Sequence, residues 1–199
     1  MGNLGSSVAT IFNTLCGIYL LMVLLRFLLQ VAKADFYNPM SQAVVKITDP
    51  MVKIFRAVIP GYKGIDFSCL MLALIIEAIA ICVLIYLYGG SIPGVGFVIT
   101  WSFLGIVFFI INIYFYAIVA SIIMSFVMMF SGNMNPHPLL RLVWQLTEPV
   151  MAPIKKVLPP MGGMDFSPIV IFLAINFVED TLKRAFGVSS QHVMVVIGL

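Results

Sequence analysis

The chain has 199 residues, of which 62% are hydrophobic and 10% charged, with a mean hydropathy of +1.12. Soluble domains carry roughly 25% charged residues, so this composition excludes a soluble globular protein and points to one embedded in lipid. The net charge of +3 is small and gives no electrostatic basis for binding nucleic acid.

The first residues, Met1 to Ser7, hold no Lys or Arg ahead of the apolar run, which is not the pattern of a signal peptide. The run from Val8 to Ala32 exceeds the roughly 20 residues needed to cross a ~30 Å hydrocarbon core. It contains Asn13 near its start and Arg26 near its end, placed so that the arginine stem can snorkel to the interface. A polar connection follows, Lys33 to Ile65. Met40, Val44, Ile47, Met51, Ile54, Phe55 and Val58 recur there at three- and four-residue steps, with Lys46, Asp49, Lys53 and Arg56 on another face. This spacing predicts one amphipathic basic helix, or two broken near Pro50 with Thr48 or Asp49 as N-cap. Such a helix either docks a partner or lipid headgroups, or simply rests at the membrane interface.

Asp66-Phe67-Ser68 opens a second span, Phe67 to Tyr88, where a carboxylate suits the free N–H groups and the positive end of the helix dipole. The uncharged hairpin Gly89 to Gly94 leads into Val95 to Phe130, an apolar run of ~54 Å if helical and too long for one upright span. A second amphipathic connection, Gly132 to Met164, carries Arg141, Glu148, Lys155 and Lys156. The last apolar stretch, Phe166 to Val178, is short and meets Glu179, Asp180, Lys183 and Arg184. The tail from Gly187 has no clear assignment.

An internal duplication orders these pieces. TDPMVKIFRAVIPGYKGIDFS, Thr48 to Ser68, aligns without a gap on TEPVMAPIKKVLPPMGGMDFS, Thr147 to Ser167, at an offset of 99 residues. Thr48/Thr147, Pro50/Pro149, Asp66/Asp165 and Ser68/Ser167 are identical, and Asp49/Glu148 keep their charge. The chain therefore reads as two repeats. Repeat one is residues 1–94, with spans near 8–32 and 67–88. Repeat two is residues 95–199, with spans near 107–131 and 166–187 and an addition, Val95 to Ile106, that is either interfacial or re-entrant, or part of one tilted helix. The expected fold is an all-α membrane protein of four transmembrane helices in two parallel tandem repeats, each with a cytoplasmic amphipathic connection. The Lys and Arg bias puts those connections, with their basic face of Lys46, Lys53, Arg56, Lys155 and Lys156, in the cytoplasm and both termini outside; Lys183 and Arg184 run against it.

Four polar residues within the spans obey the same offset, Asn13 with Asn112 and Glu77 with Asn176. Glu77 falls near mid-bilayer, where an ionisable group marks either a functional site or a buried pairing. The symmetry predicts Asn13 beside Glu77 and Asn112 beside Asn176, as a polar pathway or as interhelical hydrogen bonds. Cys16, Cys69 and Cys82 lie in apolar segments and read as small buried hydrophobes. The chain has no HExxH, GxSxG or GxxxxGK motif, and neither His137 nor His192 has a metal partner at useful spacing, so no enzyme activity, metal or cofactor is expected.

The duplicated pattern of Thr-(Asp/Glu)-Pro, then a basic residue, then Pro, Gly and Asp-Phe-Ser resembles the YggT family of small bacterial inner-membrane proteins, called YlmG in some lineages. The first copy departs at Ile54 and Cys69, where the second has Pro153 and Pro168. The resemblance implies the bacterial cytoplasmic membrane and a link to osmotic-stress tolerance or envelope homeostasis, with relatives tied to cytochrome b6 maturation. Three functions follow as expectations. The first is a non-enzymatic membrane adaptor or assembly factor, its partners being the bilayer and another membrane protein or a second copy of itself. The second is an ion channel or transporter component using Glu77. The third is a cytochrome maturation factor, which the lack of a histidine within any span disfavours.

Overall fold

The structure is a computed structural model that describes residues 2–59, 61, 64–131, 137–158 and 167–199. These form α1 (Gly2–Val31), α2 (Pro39–Arg56), α3 (Phe67–Leu87), α4 (Val95–Ser131), α5 (Pro138–Val157), α6 (Ser167–Ala185) and α7 (Ser190–Val195). No strand occurs among the described residues. Among the described residues, three stretches are long and apolar enough to cross a membrane, Gly5–Val31, Phe67–Leu87 and Val95–Met128. α6 is not one of them, because Glu179, Asp180, Lys183 and Arg184 crowd its second half.

α3 lies between α1 and α4, and its small residues admit both neighbours. Ala73, Ala80 and Cys69 are fully buried against Leu20, Val23, Leu24 and Leu29 of α1. α4 continues to α5 and α6, where Ile118, Met151 and Ile171 form a smaller cluster. Ile11, Leu15, Ile79, Phe103 and Tyr116 point outward from the three apolar helices, as a lipid-facing surface requires.

α4 is one unbroken helix, so Val95 to Ile106 is neither re-entrant nor a separate interfacial piece. Nothing in that stretch stops a helix: Gly96 and Gly105 lower propensity without removing an N–H, and no proline intervenes. The upstream turn is set by Gly89, which takes φ 82° while the Gly90 N–H closes onto the Ile85 carbonyl at 2.9 Å, a Schellman-type end to α3.

α2 also runs on through its proline. Thr48 and Asp49 are interior residues and not N-caps; the cap is Asn38, whose side chain accepts from the Met40 N–H at 2.9 Å with Pro39 at the first helical position. Thr48 Oγ1 instead donates back to the Val44 carbonyl at 2.8 Å, with Val45 at 3.3 Å. α5 repeats the plan, with His137 accepting from the Leu139 N–H and Thr147 Oγ1 bonded to the Val143 carbonyl at 3.0 Å, although Pro149 and Pro153 lie inside it.

Candidate functional site

Glu77 sits midway along α3 with none of its surface exposed. Its Oε1 accepts the Ile197 N–H at 2.7 Å, and its Oε2 has no hydrogen-bond partner. Asn112 on α4 donates through Nδ2 to the Gly198 carbonyl at 2.8 Å. Two of the four polar residues singled out in the spans thus converge on neighbouring peptide groups of one segment, 196–199. The expected pairings are not what forms. Asn176 is exposed and turns its Nδ2 onto the Phe172 carbonyl of its own helix, while Asn13 Oδ1 is buried without a partner. The 99-residue offset could not anticipate this, because it pairs residues 196–199 with 97–100 and with nothing in residues 1–94. Its only signal in the sequence is the run from Val193 to Ile197, too short to cross a membrane and too apolar for an exposed tail.

A second polar centre ties α1 to α2. Arg26 does not snorkel into water: it is 6% exposed and donates to Thr48 Oγ1 at 2.9 Å and to Asp49 Oδ1 at 3.1 Å. Lys53 reaches the other Asp49 oxygen at 2.8 Å. The Lys53 hydrogen bond, against some desolvation, and then that of Arg26 hold the Asp49 carboxyl below the usual carboxylate range. No such clamp forms 99 residues on, where Ser125 stands in place of Arg26 and bonds the Ser121 carbonyl of its own helix, and Glu148 is exposed. A cleft of about 210 Å³ opens beside the clamp, lined by Arg26, Gln30, Phe36, Val45 and Arg56.

A third centre opens α3. Asp66 stands at the N-cap, accepts from the Ser68 N–H at 3.2 Å and pairs with Arg56, while Ser68 Oγ donates to the Ile59 carbonyl. Its counterpart Asp165 lies outside the described residues, as do Pro60, Lys63 and residues 159–166; Ser167, equivalent to Ser68, is buried at the start of α6. Burial alone raises the Asp66 carboxyl, but hydrogen bonds from Arg56 and Ser68 outweigh it and leave the group below its ordinary range. A depressed folded value contributes stability that is complete above the unfolded pKa, about 3.9, and is lost as pH falls through the folded one. Melting temperature should therefore drop below about pH 4 in the native chain, and Asp66→Asn should flatten part of that drop. An identical acid profile in the variant would remove Asp66 as its source.

α2 and α5 lie together under the apolar helices. Asn38 Nδ2 donates to the Pro138 carbonyl at 2.7 Å, the Asp35 N–H to Gln145 Oε1 at 3.0 Å, and Arg141 lies 3.8 Å from Asp35. Of the basic residues on these helices, Lys46, Lys53, Arg56, Arg141 and Lys156 are exposed, with Lys53 also paired to Asp49 and Arg56 to Asp66. The apolar residues Ile47, Met51, Ile54, Val58 and Val157 are also exposed. Among the described residues no group of three or more His, Cys, Asp or Glu could hold a metal ion.

The family model described as CCB3/YggT matches residues 5–87 and 100–186. An uncharacterized protein of Pseudomonas aeruginosa is 38% identical over 180 residues, covering 90% of this chain and 89% of that protein. An uncharacterized protein of Vibrio alginolyticus is 34% identical over 185 residues, 92% of this chain and 96% of the relative. The uncharacterized protein YggT of Escherichia coli K12 is 33% identical over 171 residues, 85% of each chain. No solved structure matches. With both halves matched by that family and relatives this similar over nearly their whole length, the chain belongs to the CCB3/YggT family.

Proposed function

We propose that this protein is a non-enzymatic adaptor of the bacterial cytoplasmic membrane, whose paired amphipathic helices α2 and α5 form a docking platform serving osmotic-stress or envelope homeostasis. The observation that carries this reading is the pairing of α2 with α5, fixed to the bundle through Arg26, with exposed apolar and basic residues on the pair. A helix with no tertiary role has no need of such anchoring. Four spans in two parallel repeats, with the platform in the cytoplasm and both termini outside, complete the proposal. Supporting the repeats, the family matches fall in two stretches, and the Asn38-Pro39 and His137-Pro138 starts of α2 and α5 are also 99 residues apart. The partner is another membrane protein or a second copy, with anionic headgroups as a secondary contact.

Replacing Lys46, Lys53 and Lys156 together by Gln should weaken docking while leaving the protein in the membrane. Each basic residue near an anionic surface contributes about a fivefold factor. Cross-linking in native membranes should lose the co-purifying partner, and survival after osmotic shock should fall. Unchanged cross-links and unchanged survival would dismiss the platform.

A further inference from the structure

Val95 to Ile106 and residues 188–199 both lie outside the stretches that the 99-residue offset pairs as spans, and the structure packs them on each other. The His192 ring stacks on Trp101 with centroids 3.8 Å apart and planes at 13°, and Phe97 lies 5.9 Å away. Val196 is buried with Ile81, Trp101, Leu104 and Phe108. Beyond α7 the backbone becomes extended at Val196 and passes into the bundle, where Ile197 meets Glu77 and Gly198 meets Asn112.

A turn among apolar helices, as at residues 197–198, cannot satisfy all its own peptide groups, so it persists only where side chains do that for it. Glu77 and Asn112 supply an acceptor and a donor to successive residues. Close approach is equally specific. A Cβ on Gly105 would lie 2.7 Å from Glu77 Oε1 and 2.8 Å from Val196 Cγ1. One on Gly198, whose φ is 98°, would lie 2.9 Å from both the Gly105 carbonyl oxygen and Phe109. Gly17 of α1 faces the Ile197 side chain. Yet among the described residues the attachment comprises only two hydrogen bonds, the stacking of His192 on Trp101 and Phe97 and the apolar contacts of Val196 and Ile197, with Val193 and Met194 exposed and Gly187, at φ 61°, between this segment and α6. The segment also lies beyond the family-matched residues, which end at 186. A slot that needed only to hold a peptide N–H would be served by a neutral acceptor. Here it contains a carboxylate with a second oxygen that nothing uses.

We propose that residues 188–199 are a releasable plug over an intramembrane carboxylate site: the segment, swinging at Gly187, closes Glu77 from water, and its withdrawal opens Glu77 and Asn112. This stands independently of the docking platform. The slot is accordingly a binding site for an apolar peptide turn containing a glycine.

The test uses the full chain in lipid nanodiscs, treated with a water-soluble carbodiimide and an amine nucleophile, with modification of Glu77 read by peptide mass spectrometry. Glu77 should be protected in the native chain. Gly198→Val, which places a side chain against Gly105 and Phe109, should raise its modification at least about tenfold, as the open population grows. Ile197→Pro, which removes the N–H that Glu77 accepts, should do the same by a different route. A synthetic peptide of residues 188–199 added to either variant should restore protection, and buried Cys69 should stay unreactive to thiol reagents throughout. Glu77 remaining protected in both variants would overturn the plug. So would modification that the peptide does not reduce, or reaction of Cys69 in parallel, which would mean that the bundle had loosened as a whole.

Discussion

Replacing Asp49 by Ala should destabilise the protein more than replacing Arg26 by Met, although the two residues share one ion pair. The asymmetry comes from burial. The Arg26 side chain is 7% exposed and that of Asp49 is 26%. Removing Asp49 strands a guanidinium among apolar side chains, whereas removing Arg26 leaves a carboxylate that keeps Lys53 at 2.8 Å and some water. Breaking a fully buried pair from one side costs about 3–5 kcal/mol. Here the partial exposure of Asp49 and the retained bond to Thr48 Oγ1 reduce the loss for Asp49→Ala to about 2–3 kcal/mol. Arg26→Met keeps most of the stem's packing and should cost about 1 kcal/mol or less. Thermal unfolding of both variants in the same detergent measures the order. If Arg26→Met proved the more damaging, attraction across the pair, and not the stranded cation, would govern the clamp. Either change also loosens α2 from α1, so the platform should fail first in Asp49→Ala.

Composition and the 99-residue offset made part of this architecture legible. The three long apolar helices follow from runs that hold at most one charged residue each, Arg26 in the first and Glu77 in the second, and the N-cap at Asp66 follows from a carboxylate placed just before one of them. Pro50 left one helix or two open in the sequence, because a proline frees only the carbonyl four residues back, that of Lys46 in α2 and of Gln145 in α5, and one lost bond does not decide whether a helix ends. Both helices continue, and the threonine two residues before each of these prolines bonds back to Val44 or Val143 from inside the helix and does not cap it. Partners distant in sequence were illegible for a different reason. Periodicity reports which face of a helix is apolar, not which residue meets it, so the 23-residue separation of Arg26 from Asp49 and the 120-residue separation of Glu77 from Ile197 leave no local trace. Arg26 within two turns of a polar stretch looks the same whether it reaches water or an aspartate. The plug was hidden most completely. Its glycine, its short apolar run and the extra length of α4 acquire meaning only once they are seen in contact.

Glu77→Leu and Glu77→Gln together separate a structural carboxylate from one that handles charge. Leu removes the acceptor of the Ile197 N–H, and an unsatisfied buried donor costs about 1–3 kcal/mol. It also sets a branched methyl where Oε1 already touches the space in front of Gly105, so crowding adds to the loss. The combined effect should be about 2–4 kcal/mol in thermal unfolding, among the largest of any single change in the bundle. Gln is nearly isosteric and keeps an oxygen for Ile197, but its Nε2 falls where Oε2 now has no partner, so it should lose only about 1 kcal/mol. If Glu77 acts as a hydrogen-bonding group within an adaptor, osmotic survival should follow stability, with Gln active and Leu impaired. If it carries an ion or proton, Gln should fold and yet abolish flux, since an amide cannot hold the charge. Survival and ion flux measured beside melting decide the matter. An active Gln variant with a destabilised Leu variant would end the transport reading of Glu77, and a stable but inactive Gln variant would end the purely structural one.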